Sequence, residues 1–310
     1  MTWQEDTGNG HENILFITLS NIGDAVMTTP VLQTLHRIYP RAVIDMVVDK
    51  RSRDLFVHCP YRGELFEKDK QAFMRGFPRL VFRLARKRYR LAVDLRTDGL
   101  LCLIRAGKKL GKWNGDASAT HAVEKHLSVV RTLAGDKSVY HCCLWPGDED
   151  LSFAGRMLEQ VKSKKTLCIA PGANAAKKIW SRKSFRELIN RIDRDFDSVV
   201  LLGSRRDRPI AEEITAGINL QALNLCGETS LLQAAAILAH ASLFIGNDSG
   251  LGHMAAAAGA PTCTLFGPGQ PEKYRPWGDA AVWLTGRNRQ VNDISVDDVI
   301  RHLELNRLLA

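Results

Sequence analysis

Residues 242–266 read SLFIGNDSGLGHMAAAAGAPTCTLF. The first four residues are a short apolar run of strand length, and 262–266 is a second such run. Between them, GNDSGLG is a loop of small and polar residues, and HMAAAAG is a helical run. A strand, a helix and a strand this close in sequence form a crossover unit, so the two strands lie parallel. Upstream the alternation continues with apolar runs at 166–170, 198–202 and 223–226. Five strands with helices between them make a nearly complete doubly wound parallel sheet. Ser184 with Glu187 is an S-x-x-E capping box before FRELINRI, and Thr229 or Ser230 is placed to cap LLQAAAILAH. The N-terminal half repeats the pattern less regularly, with strands expected at 14–19, 42–48 and 91–95.

The chain has 310 residues, which at roughly 150 per domain gives two domains. The break falls where GDKS, WPGDED and KSKK gather turn residues and charge, between about 134 and 165. The expected units are 1–160, 161–290 and a final segment, 291–310. In that segment Val299, Ile300, Leu303, Leu305 and Leu308 form an apolar stripe that needs a groove. A hydrophobic fraction of 45% excludes a disordered tail, a disulfide mini-protein and a collagen-like repeat. No apolar run approaches the ~18 residues of a membrane span. The opening, MTWQEDTGNGHEN, is polar and acidic, so neither a signal nor a transit peptide is expected, and the protein is placed in the cytoplasm. Seven cysteines without a C-x-x-C pair read as small buried hydrophobes rather than metal ligands.

In an open parallel sheet the ligand lies beyond the carboxyl ends of the strands, so the loops there carry the chemistry. After the first strand, Ser20-Asn21-Ile22-Gly23-Asp24 puts Asp24 at a helix start, either as a cap or as a general base facing a cleft. After SLFI, Gly246 to His253 offers backbone N–H groups, Ser249 and glycines to an anion such as a diphosphate. Its Gly250-x-Gly252-x-x-Ala255 spacing imitates a dinucleotide fingerprint. However, it follows the fourth strand of its half, and the next strand ends in Gly267-Pro268 without a ribose-binding acid. In PGANAAKKIW, Lys177 or Lys178 supplies a point charge for a phosphate, or the pair is a solvated surface feature. In Gly203-Ser204-Arg205-Arg206-Asp207, Asp207 either accepts from a sugar hydroxyl or caps the following helix. Phosphate- and sugar-competent loops in one half, with a candidate base in the other, suggest group transfer across a cleft.

Three segments, ILFITLSNIGDAVMTTPVLQTL, IAPGANAAKKIWSRKSFRELI and NLCGETSLLQAAAILAHASLFIGNDSGLGHMAAAAGAPTCTLFGP, resemble glycosyltransferase family 9, the ADP-heptose:lipopolysaccharide heptosyltransferases. The resemblance runs over about residues 13–278 and is weakest between 56 and 150. It implies a GT-B fold, in which two Rossmann-like doubly wound domains face a central cleft. The nucleotide sugar lies in the C-terminal domain, the acceptor in the N-terminal one, and the final helix returns to the first domain. By the family pattern Asp24 is the catalytic base and Lys178 contacts the donor phosphates. Asp248, Ser249 and Gly250 form the diphosphate and heptose loop with His253 beside it, Asp207 is associated with the ribose, and Thr229 lies by the adenosine. Where some members carry hydroxyl side chains this chain has Ala173 and Asn174, so Asn174 is the expected donor contact there. The implied reaction is a single inverting displacement that needs no metal or other cofactor.

The formal charge is +9, and its origin is local: residues 68–112 hold 14 Lys+Arg against 3 Asp+Glu. Here PRLVFRLARKRYR reads as a helix opened by Pro78, with Arg79, Arg83, Arg86, Lys87 and Arg90 flanking an apolar face. The expected partner is the anionic lipopolysaccharide core at the cytoplasmic face of the inner membrane, unless the residues are simply a solvated helix face. Aromatics at 7%, without an RNP, zinc-finger or helix-turn-helix pattern, argue against nucleic acid. The expected function is therefore inverting transfer of heptose from ADP-heptose to the inner core. The alternatives are a family 9 transferase for another nucleotide sugar and a noncatalytic nucleotide-binding module.

Overall fold

The structure, a computed structural model, describes residues 13–68, 73–96, 99–161 and 164–309, so the opening segment read for a leader lies outside the described residues. The first sheet comprises β1 (Asn13–Ile17), β2 (Val43–Asp49), β3 (Arg62–Lys68), β4 (Tyr89–Asp94) and β5 (Ala106–Gly111). It is accompanied by α1 (Ile22–Val26), α2 (Thr29–Ile38), α3 (Phe73–Ala85), α4 (Ala122–Ser128) and α5 (Arg131–Ala134). After α6 (Asp148–Gln160) the second sheet comprises β6 (Thr166–Ala170), β7 (Ser198–Leu201), β8 (Gln221–Asn224), β9 (Ala241–Asn247), β10 (Thr262–Phe266) and β11 (Ala281–Thr285). Its helices are α7 (Arg182–Arg191), α8 (Arg208–Thr215), α9 (Leu231–Leu238), α10 (Gly250–Ala257), α11 (Pro271–Tyr274) and α12 (Val296–Leu305).

Both sheets are parallel, ordered β3-β2-β1-β4-β5 and β11-β10-β9-β6-β7-β8. Connections wind one way from β1 and from β6, then reverse, so a crevice opens between β1 and β4 and another between β6 and β9. The central strands are buried on both faces, as their unbroken apolar runs require: β6, TLCIA, is buried throughout. The strands not expected, β3, β5 and β11, all lie at or towards sheet edges. Solvent reaches their backbones, so charged residues such as those of RGELFEK and AGKKLG are tolerated and hide the strand signal.

Each sheet buries both faces. The outer face of the first packs Leu15, Ile17 and Val47 under Leu80 and Leu84 of α3. The outer face of the second packs Leu167, Ile169 and Leu243 under α7, α8 and α12. The two inner faces merge into one apolar core, running from Ile14, Phe16 and Phe56 to Ala235, Phe244 and Met254.

Four local expectations are corrected. The helix after the phosphate loop begins at Ser181, whose Oγ accepts from the Ser184 N–H at 3.1 Å, so Ser184 lies inside α7 instead of capping it. Trp180 just before it is wholly buried and fixed at both its N–H groups, which makes the chain turn at once into the helix. Pro78 lies within α3 instead of opening it, because Phe77 packs against the outer core and holds the preceding turn. The final helix does not return to the first domain. Val299 and Leu303, wholly buried against α7 and its neighbours and worth about 2 kcal/mol each, keep α12 on the second sheet. An Arg191–Asp297 ion pair at 2.7 Å closes the same contact. Finally, α6 lies along α9, and Gln160 O accepts from Gln221 Nε2 at 3.1 Å, so the second unit starts near Asp148 instead of after residue 160. Among the described residues no helix is long and apolar enough to cross a membrane.

Candidate active site

The carboxyl ends of β1 and β2 lie side by side, since Thr18 N donates to Val47 O at 3.1 Å. Asp24 emerges from the first turn of α1 at this edge, half-buried, and its Oδ2 accepts from Asn21 Nδ2 at 2.8 Å. Asn21 Oδ1 accepts in turn from Arg51 at 3.2 Å, and Arg51 Nε donates to Asp49 Oδ1 at 3.0 Å. Burial would push the Asp49 carboxyl up, but the bonds from Arg51 outweigh it and hold the group below the ordinary carboxylate range.

The second crevice is organised by Asn247, which is wholly buried at the end of β9. Its Nδ2 donates to Pro171 O at 2.8 Å and its Oδ1 accepts from Trp180 N at 3.0 Å. One buried amide thus ties the loop after β6 to the loop after β9. The result is a short ion pair: Lys178 Nζ lies 2.5 Å from Asp248 Oδ2. The Lys178 side chain is 30% exposed and still open to a ligand.

Beside this pair α10 starts at Ser249, which makes no capping bond; its Oγ is buried without a partner, and so is Nδ1 of His253 one turn on. Buried polar atoms are normally bonded; of these two, the Ser249 hydroxyl stands on a cavity wall at the opening of α10, where the first N–H groups of the helix suit an anion. Burial holds the His253 imidazole below the ordinary histidine range, against the pull of the Asp248 and Asp24 carboxylates.

A cavity of about 720 Å³ opens from these loops, lined among others by Asn174, Asp207, Thr229, Ser249 and Gly250. Asp207 makes no capping bond to the following helix, α8; its Oδ2 accepts instead from Ser204 N and Oγ at 2.7 Å, and it lines the cavity. Gly172 lies so close beneath it that a Cβ there would be 2.0 Å from Asp207 Oδ1. Of the two capping candidates for α9, Ser230 caps it, leaving Thr229 to the cavity wall. Lys177 is exposed, and neither it nor Lys178, Asp248 or His253 is among the residues lining the cavity; what sets Lys178 apart is its ion pair with Asp248.

The two crevices meet where α1 packs on α10. Glycines make the approach possible: a Cβ on Gly23 would be 2.6 Å from His253 Cδ2, and one on Gly250 would be 3.0 Å from Ile22 Cβ. Asp24 faces a second cavity, of about 600 Å³, lined by Lys112, Lys125 and Lys273 with Trp113 and Tyr274. Sequence reasoning did not single out these five residues or Arg51, and it gave Asn21 and Asn247 no role although both lie in loops it read. The five cavity residues come from three places, the turn after β5, α4 and α11, which no local pattern links.

The five basic residues expected to face the acceptor or the membrane do not line that cavity. Arg83 pairs with Glu64, and Lys87 bonds Asp45 at 2.7 Å and Glu64 at 2.9 Å. Arg90 lies in β4 with its guanidinium over Tyr39. Arg79 and Arg86 remain exposed on α3 and its end, Arg86 over the ring of Phe82, which is 63% exposed.

The model of glycosyltransferase family 9 (heptosyltransferase) matches residues 111–302. Lipopolysaccharide heptosyltransferase 2 of Salmonella typhimurium is 30% identical over 301 residues, covering 85% of each chain. Among solved structures, a family 9 glycosyl transferase from Veillonella parvula superposes with a TM-score of 0.84 at 20% identity, over 96% of this chain and 97% of that one. The E. coli ADP-heptose lipopolysaccharide heptosyltransferase II superposes with a TM-score of 0.76 at 25% identity, over 96% and 98%. These two likenesses extend the match beyond the family model to the N-terminal sheet and establish the GT-B architecture of two facing α/β domains. With a family model covering more than half of its length and a relative at 30% identity, the chain belongs to glycosyltransferase family 9.

Proposed function

We propose that the protein is an inverting heptosyltransferase that moves the heptose of ADP-L-glycero-D-manno-heptose onto the inner core oligosaccharide of lipopolysaccharide. The observation that carries this reading is the meeting of α1 and α10: Asp24 lies on one side, with Ser249 Oγ, His253 Nδ1 and Lys178 on the other. The names of the relatives supply the sugar: they are lipopolysaccharide heptosyltransferases, and that of the E. coli structure names ADP-heptose.

In the proposed reaction the Asp24 carboxylate takes the proton of an acceptor hydroxyl as its oxygen bonds to the anomeric carbon. The bond from that carbon to the diphosphate breaks, and ADP leaves with the electron pair. One displacement inverts the anomeric configuration. Lys178 and the N–H groups opening α10 stabilise the charge that develops on the leaving group. Asn174, Asp207 and Thr229 line the space for the nucleoside, and no cofactor takes part in the scheme. The three lysines around Asp24 suit an anionic acceptor, and Trp113 and Tyr274 offer flat faces to its sugar rings.

The acceptor is borne on lipid. Phe82 and Leu103 are 63% and 50% exposed, with Arg86 over the Phe82 ring and Arg79 exposed on the same helix, and they fit a peripheral contact with an anionic bilayer. We take that bilayer to be the cytoplasmic face of the inner membrane.

The deciding experiment offers ADP-heptose, UDP-glucose and UDP-N-acetylglucosamine separately with a deep-core acceptor and measures nucleotide release. Release of ADP alone, abolished in Asp24→Asn with ADP binding retained, is the expected result. Release of UDP would move the protein to another donor, and no release from any of the three would leave a nucleotide-binding module.

A further inference from the structure

Asn21 occupies the position where an asparagine ordinarily accepts a hydrogen bond from the second or third N–H of a helix, yet it makes no such bond to α1. Its side chain is engaged twice elsewhere. Asp24 presents only acceptors and Arg51 only donors, so the amide has one possible orientation, Nδ2 to Asp24 at 2.8 Å and Oδ1 to Arg51 at 3.2 Å. Behind Arg51 the anchor is firm. Asp49, with a side chain only 5% exposed, receives Arg51 Nε at 3.0 Å and the Arg51 backbone N–H at 3.2 Å, and Arg96 Nη2 lies 3.6 Å from its other oxygen. The chain of contacts thus runs from a buried carboxylate through a cation and a neutral amide to the carboxylate that faces the lysine-lined cavity.

We propose that Asn21 is a positioning residue for the transfer reaction, holding Asp24 by Oδ2 so that Oδ1 is presented to the acceptor hydroxyl, and that Arg51, fixed by Asp49, acts through Asn21. The proposal rests on the assignment of Asp24 as the base. A neutral adapter suits this place. An arginine bonded directly to Asp24 would bind the carboxylate more strongly and make it a poorer proton acceptor, whereas an amide fixes its direction and leaves its charge available. The arrangement also requires the parallel register of β1 and β2, which brings the loops carrying Asn21 and Arg51 to the same edge.

Two measurements test it. In the first, Asn21→Ala lowers kcat about tenfold, with KM for donor and acceptor within about twofold of wild type and an unchanged unfolding midpoint. Arg51→Ala alone lowers kcat by a smaller factor and adds nothing in the Asn21→Ala background, because it acts through the missing amide. An unchanged kcat in Asn21→Ala overturns the positioning role, and independent, multiplying effects overturn the relay. The second measurement needs no substrate: the crystal structure of Asn21→Ala is expected to show the Asp24 side chain turned from its place, and an undisturbed carboxylate overturns the proposal. If wild type released no ADP from ADP-heptose, the functional reading would fall, while the structure of the variant would still decide what Asn21 does.

Discussion

Replacing Lys178 with alanine removes the one cation placed 2.5 Å from Asp248 and leaves that carboxylate, 14% exposed, beside the place proposed for the diphosphate. Two effects then act in the same direction. A charge-assisted hydrogen bond to a phosphate oxygen is lost, worth about 1.5–3 kcal/mol. In addition, the uncompensated Asp248 charge repels the diphosphate by about 3 kcal/mol at a distance of ~6 Å and an effective dielectric constant of ~20. Water and rotation of Asp248 absorb most of the second effect, so the expected loss of ADP affinity is roughly 10- to 1,000-fold, or about 1.5–4 kcal/mol. Titration calorimetry with ADP at moderate salt measures it. The double variant Lys178→Ala/Asp248→Asn removes the repulsion without restoring the hydrogen bond, so it should bind ADP more tightly than the single variant and less tightly than wild type. An ADP Kd within twofold of wild type for Lys178→Ala would refute the placement of the diphosphate. A double variant no better than the single one would show that Asp248 does not face the diphosphate.

Two further predictions concern stability and surface binding instead of the transfer step. His121 and His126 are buried, and burial pushes both imidazoles down to about 4, in His121 against the bond its Nε2 makes to Arg275 O. Because the unfolded chain binds these protons first as pH falls, the stabilisation is complete above about pH 6.5 and is lost towards pH 4, roughly 2 kcal/mol per histidine by pH 5. Urea unfolding at about pH 7 and pH 5 should show this fall, smaller by roughly 2 kcal/mol in His126→Gln than in wild type, and equal stability at the two pH values would contradict it. On the outer surface, Phe82→Ser with Arg86→Gln should reduce retention on anionic liposomes several-fold while leaving ADP binding unchanged. Wild-type protein that anionic liposomes fail to retain, or that duplex DNA strips from them at moderate salt, would exclude the bilayer contact.

The sequence shows the donor side of the molecule more clearly than the acceptor side, and the reason is physical. β6 and β10 are buried throughout and β9 at all but Ser242, which keeps them largely apolar, and the glycines and polar residues that follow them stand where a phosphate loop needs them. Lys178, Asp248, Ser249 and His253 all lie within one turn of those strands or of the helix they open, so local pattern finds them. The cavity proposed for the acceptor, by contrast, is assembled from Lys112 after β5, Lys125 in α4 and Lys273 in α11. None of these differs locally from any surface lysine until the domains pack. The conspicuous basic run misleads for the complementary reason. Charge density in sequence does not show that Glu64 and Asp45 lie across the sheet to neutralise Arg83 and Lys87. The amphipathic stripe of the final helix predicts that it is buried but not against what, and Val299 and Leu303 are buried on α7.

The inner faces of the two sheets are not separately finished surfaces. Ile14, Phe16, Leu32 and Phe56 on one side, and Ala235, Leu238, Phe244 and Met254 on the other, belong to a single apolar core. The molecule is therefore not modular in the way its repeated architecture suggests. A donor half cut from this chain would carry a raw apolar face and would have to associate with something to stay in solution. A hybrid pairing it with the acceptor half of a relative would have to recut the shared core before specificity could be exchanged. Trp113 and Tyr274, by contrast, stand exposed at the rim of the cavity before Asp24, where a substitution leaves the shared core untouched.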